Sequence, residues 1–150
     1  MPAAATAGLG FLLAVLWFDL MFDVQAARPT SGVLSREVIA AIAGYYRRVT
    51  TTARPMNRLV AVVMVATLAA LIAEIAERHE PTWVVWASLV FTMVGVGLAA
   101  SRTVRSAVRL GRGGDDLAVQ SALARSILRD HVVCAAVIAA ALVLQLAVVR

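Results

Sequence analysis

Four apolar runs, set apart by polar segments, organise this chain; they fall at residues 5–25, 59–76, 82–101 and 132–149. About 20 apolar residues, rising about 1.5 Å each, cross a bilayer core as an α-helix. The pattern therefore predicts an all-α fold, a polytopic transmembrane four-helix bundle that occupies residues 1–150 as a single integral membrane domain. The fourth run, with 18 residues, is near the lower limit for a span. Trp83 and Trp86 open the third run, where interfacial tryptophans belong. Gly95 and Ala99 within it form a small-residue pair that permits close helix contact.

The polar segments follow a different period. After the breaker cluster Arg28-Pro29-Thr30-Ser31-Gly32, the residues Leu34, Val38, Ile42, Tyr45 and Val49 recur every three to four positions, while Arg36, Glu37, Arg47 and Arg48 fall off that stripe. This predicts an amphipathic helix ending before Thr50-Thr51-Thr52. Its stripe has two possible destinations: the membrane surface, with the tyrosines at headgroup level, or the cytoplasmic end of the bundle. Past the third run, Arg102 to Leu110 reads as a short helical piece stopped by Gly111-Arg112-Gly113-Gly114. Asp115 or Asp116 then caps a new helix. That helix has a mostly apolar face of Leu117, Gln120, Leu123, Ile127 and Leu128, and it can continue into the fourth run.

Composition sharpens the picture. Hydrophobic residues make up 61% of the chain, against about 45–50% in a soluble domain. All the basic residues are arginine, and the net charge is +5. The segment from Arg28 to Arg58 holds six arginines against Glu37 alone, and the segment from Arg102 to Asp130 holds six against three acids. The turn between the second and third runs has only Arg78. The positive-inside rule then places both long loops in the cytoplasm and both termini outside. Orientation and anionic lipid account for the basic charge, so the expected partner is the lipid bilayer and not nucleic acid. A lysine-free chain rich in alanine and valine points to a GC-rich bacterium, hence to a bacterial plasma membrane. Val24-Gln25-Ala26 resembles a leader cleavage site. No basic residue precedes the run, however, and two aspartates interrupt it, so it is expected to remain as a span. The lone cysteine, Cys134, allows no intrachain disulfide.

Those aspartates are the candidate chemistry. Asp19 and Asp23 lie one helical turn apart in the cytoplasmic half of the first span. An aspartate in hydrocarbon costs roughly 3 kcal/mol, so the two require partners. The same end of the other spans offers Asn57, Arg58, Ser101, Arg102, Asp130, His131 and Cys134. Three readings follow. In the first, Asp19 and Asp23 pair with Arg58 or Arg102 and lock the helices in register. In the second, they handle protons or cations through carboxylates poised in an apolar wall. In the third, Asp23, His131 and Cys134 hold a metal or redox cofactor, although no ligand motif of fixed spacing supports it. A second polar group, Glu74, Glu77, His79 and Glu80, lies towards the outer side and reads as a solvated turn. It becomes a cation mouth only if Glu74 faces the bundle interior, in line with Asp19. Trp17, Phe18 and Phe22 beside the aspartates could wall a pocket for a flat apolar ligand, but read first as facing lipid or a neighbouring helix.

Leu16-Trp17-Phe18-Asp19, followed by Tyr45-Tyr46, resembles a broad group of four-span bacterial membrane proteins that includes anthrone-oxygenase-like proteins. The resemblance covers mainly the first half of the chain. It implies the four-span fold and carries no catalytic residue across; a glycine commonly follows the tryptophan in that group, where Phe18 stands here. The expectation is a non-enzymatic accessory or scaffold component, alone as a homo-oligomer or within a membrane complex. A small proton or cation carrier and a membrane-embedded oxidoreductase are the alternatives, and the sequence specifies no cofactor.

Overall fold

The computed structural model describes residues 2–27, 32–52, 54–77 and 81–148. The described chain is all-helical. It comprises α1 (Pro2–Asp23), α2 (Arg36–Arg47), α3 (Arg54–Ala76), α4 (Thr82–Leu98), α5 (Val104–Arg112) and α6 (Leu117–Val148). A short 3₁₀ turn, Val24–Ala27, follows α1, and π-helical turns at Arg48–Thr52 and Ala99–Thr103 link α2 to α3 and α4 to α5. Four helices are long and apolar enough to cross a membrane: Ala3–Ala27, Pro55–Ala76, Thr82–Arg112 and Leu117–Ala147.

These four pack as a ring, α1 against α3, α3 against α4, α4 against α6 and α6 against α1. Small residues set the close approaches. A Cβ added at Gly8 would fall 2.1 Å from Thr67 Oγ1, and one at Gly95 would fall 3.3 Å from Ile138 and Val137. The small-residue site read at Gly95 therefore marks the α4–α6 contact. Side chains facing away from the ring stay exposed, among them Trp17, Phe18, Val65, Trp83 and Val143. The bundle interior holds Leu9, Leu12, Ile138 and Ala141.

Two of the helices overrun a bilayer core. At about 1.5 Å per residue, α6 and the continuous path from α4 through α5 each extend well past 30 Å. Their overrunning ends diverge from the ring and meet α2. There they form a second core from Leu34, Ile39, Ile42, Ala43, Tyr46, Ala107, Leu110, Ala124 and Ile127. This is the cap. The apolar side of α2 is thus buried against α5 and α6 at one end of the bundle. Its buried face is rotated by about one position from the predicted stripe, centring on Ile39, Ile42, Ala43 and Tyr46, because α2 sits in a corner between two helices. On α6, likewise, Ser121, Ala124 and Ile127 are buried, and Leu117, Leu123 and Leu128 pack around them.

Local chemistry explains the boundaries. Ser35 caps α2 by accepting from Val38 N–H at 3.3 Å, and Asp116 caps α6 by accepting from Val119 N–H at 2.8 Å. Thr50 and Thr51 do not break the chain as expected. Their hydroxyls donate back to the carbonyls of Tyr46 and Arg47, and the helical path continues through Thr52 as a π turn. The glycine-rich stop acts two residues later than predicted. Helix α5 runs through Gly111 to Arg112 and ends where Gly113 takes a left-handed conformation (φ +68°). Within the helix, Gly111 leaves room for α2 to cross: a Cβ would meet Arg47 N at 2.9 Å. Arg47 Nε–H donates to Gly111 O across the same contact. The breaker residues 28–31 and the turn residues Arg78, His79 and Glu80 lie outside the described residues.

Candidate functional site

The two aspartates of α1 face the junction between ring and cap. Asp23 is fully buried. Its Oδ1 accepts from Tyr46 O–H at 2.7 Å, and its Oδ2 lies 2.6 Å from His131 Nδ1. Asp19, one turn earlier, accepts from Tyr45 O–H at 2.6 Å and lies 4.0 Å from His131 Nε2. Three elements therefore meet in one network: α1 brings the carboxylates, α2 the phenols and α6 the imidazole. Adjacent residues on a helix point about 100° apart, so Tyr45 and Tyr46 can reach aspartates a full turn apart on a crossing helix. Phe22 stacks on Tyr45 at 4.1 Å between ring centroids and covers the Asp19 side.

The electrostatics follow from burial. A buried carboxylate needs charge-assisted hydrogen bonds, and Asp23 has one on each oxygen. With Asp23 ionised, His131 Nδ1–H is the donor to Oδ2. The ring edge opposite that bond then points towards Asp19, so one imidazole serves both acids. Both phenols are held well above their ordinary pKa near 10. Burial is the largest cause, and the neighbouring Asp19 and Asp23 reinforce it by accepting the phenolic protons and by their charge.

The predicted residues separate into two groups. Asp19, Asp23 and His131 come together. Arg102 does not reach either aspartate of α1: its Nε lies 3.4 Å from Asp130, and its Nη2–H donates to Ser126 Oγ at 3.1 Å. Arg58 lies exposed on the first turns of α3, and among the described residues no ion pair joins it to Asp19 or Asp23. Pairing with arginine is therefore replaced by pairing with tyrosine and histidine. The physical reason is depth: Asp23 sits under α2, which shuts out a solvated guanidinium and presents Tyr46 in its place. Cys134 is buried with its Sγ towards Gly95 O at 3.5 Å, so the thiol faces α4 and not Asp23 or His131. Among the described residues, no group of three or more His, Cys, Asp or Glu is placed to hold a metal ion. Trp17 and Phe18 are exposed on the outer side of α1, whereas Phe22 packs on a neighbouring helix through its stack on Tyr45.

Sequence reasoning missed the tyrosines as partners of the aspartates: it left them either at headgroup level or packed on the end of the bundle and assigned them no acid to bond. The available signal was numerical: two adjacent phenols on one amphipathic helix opposite two acids on the neighbouring span. Comparison with protein-family models, with characterised proteins and with solved structures finds no match.

Proposed function

We propose that this chain is a non-enzymatic integral membrane protein, an accessory or scaffold component in which the Asp–Tyr–His network latches a cytoplasmic cap onto a four-span bundle. The observation that carries this reading is the closure of Asp23. Its two oxygens are satisfied inside the protein by Tyr46 and His131, and its side chain has no exposed surface to offer a substrate. The proposed setting is a bacterial plasma membrane with the cap in the cytoplasm and both termini outside. The arginines support that orientation, since they crowd the segments that build the cap. The exposed Trp83 and Trp86 at the opposite end are consistent with it, placed where an outer interface would lie.

A carrier built on Asp19 and Asp23 would need a polar route to the other side. Directly beyond the network, the interior is filled by Leu9, Leu12, Ile138 and Ala141, and the buried Thr67 and Thr92 turn their hydroxyls back to carbonyls of their own helices, which favours the latch. The test is reconstitution in liposomes. The purified protein is expected to leave proton and sodium leak at the level of empty vesicles. A flux above that level, lost in both Asp19→Asn and Asp23→Asn, would replace the latch with a carrier.

A further inference from the structure

A second polar cluster, at the seam between α6 and the path from α4 to α5, takes no part in the latch. Asp130 of α6 is almost fully buried, with its side chain 4% exposed. Two guanidinium groups converge on it from the exposed side. Arg102 Nε lies 3.4 Å from Asp130 Oδ2, and Arg129 Nε lies 3.9 Å from Asp130 Oδ1. The arginine side chains are 51% and 64% exposed. Ser126, Arg129 and Asp130 share one face of α6, being three and four residues apart. Arg102 reaches that face from the π turn Ala99–Thr103, and Ser126 Oγ accepts from its Nη2–H at 3.1 Å.

The charges in this cluster do not balance. One carboxylate matches one guanidinium, so a second positive charge is left on the exposed side. The Arg129 contact is too long for a hydrogen bond, so its donors stay available. A guanidinium carries five N–H donors in a planar fork that fits phosphate oxygens.

Depth says where such an oxygen would come from. At about 1.5 Å per residue, Arg102 stands about 28 Å along its helical path from Trp83, and Arg129 stands about 28 Å along α6 from Val148. Both arginines therefore lie one hydrocarbon thickness from the opposite helix ends, at headgroup level. On the membrane side of Arg129, one turn along α6, Val132 and Val133 are exposed and offer an apolar wall to acyl chains.

We infer that Arg102 and Arg129 bind the phosphodiester of one anionic phospholipid whose headgroup carries no further charge. The phosphodiester answers the unmatched positive charge. A choline headgroup would bring a quaternary ammonium against two guanidiniums, and Asp130 is buried behind them and cannot receive it. The inference rests on the membrane setting proposed above and not on the latch.

The test is titration of the detergent-purified full chain with phosphatidylglycerol or phosphatidylcholine, read as energy transfer from its tryptophans to an acyl-chain label. Phosphatidylglycerol is expected to bind about tenfold more tightly. Arg129→Gln leaves the Arg102–Asp130 pair in place and is expected to bring the two lipids within about twofold. Arg112→Gln removes the same charge about 15 Å further along the helical path and is expected to keep the full preference. Equal binding of the two lipids by the wild-type protein would overturn the site. So would a preference that survives in Arg129→Gln, or one that falls as far in Arg112→Gln. Inorganic phosphate in large excess, against chloride at equal ionic strength, is expected not to displace the lipid; displacement would assign the site to free phosphate and overturn the lipid. An alkaline carbonate wash of membranes separates failure of the site from failure of the setting. A protein released by the wash loses both, whereas a retained protein that binds both lipids equally loses the site alone.

Discussion

Asp23 shows what an ionisable residue in an apolar setting demands. Removing one partner leaves the others with unpaired buried atoms, so the variants should rank by how much they strand. Tyr46→Phe deletes one hydrogen bond to a carboxylate and should cost about 2 kcal/mol in chemical or thermal unfolding. Tyr45→Phe should cost less, because Asp19 is partly exposed and water can replace the phenol. Equal costs for the two would show that burial does not set the strength of the network. The same tyrosines predict a pH dependence. Their pKa values are raised in the folded state, so their contribution is fully present below the ordinary phenol pKa of about 10 and is lost as pH rises beyond it. Stability should fall between roughly pH 10 and pH 12 in the wild-type protein, and the fall should be smaller in Tyr45→Phe/Tyr46→Phe. Because these are the only two tyrosines in the chain, the near-ultraviolet phenolate signal should develop only as the protein unfolds.

At the scale of elements, glycines mark where backbones touch. Gly111→Ala would drive a Cβ against the main chain of Arg47, which cannot yield as a flexible side chain does. A loss of about 1–3 kcal/mol is expected. Gly44→Ala, on α2 with open space around it, should be neutral or stabilising by about 0.5–1 kcal/mol through helix propensity. If both substitutions behave alike, the α2–α5 crossing is wrong. The helices themselves were legible in the sequence because each apolar run is long and the cap of α6 is local: Asp116 needs only its own next turn. The π turns were not. They depend on Thr50 and Thr51 bonding back to carbonyls, a choice that a threonine run makes only once α2 is anchored. The exact buried face of α2 was also hidden, since a stripe of period 3.6 leaves a rotation of one residue open until the neighbours are known.

The whole molecule joins a four-helix ring to a cap made by two overlong helices and α2. The proposed orientation predicts that a membrane-impermeant thiol reagent labels Pro81→Cys in intact cells and Arg36→Cys only in inverted vesicles. The opposite pattern would invert the topology. The sequence brought Asp19, Asp23 and His131 to one level because antiparallel spans of similar length must align their ends. It could not choose their partners, because an arginine at a span end and a tyrosine on an amphipathic helix are equally near in sequence terms. Only the docking of α2 decides between them.

The central claim is that Tyr46 and Asp23 act together to hold the cap on the bundle. The most direct measurement is a double-mutant cycle in thermal unfolding with Tyr46→Phe, Asp23→Ala and the pair. The latch predicts a double variant clearly less damaged than the sum of the singles, with a coupling of about 1–3 kcal/mol. Additive losses would mean that the two residues stabilise the protein independently, and the latch would fall.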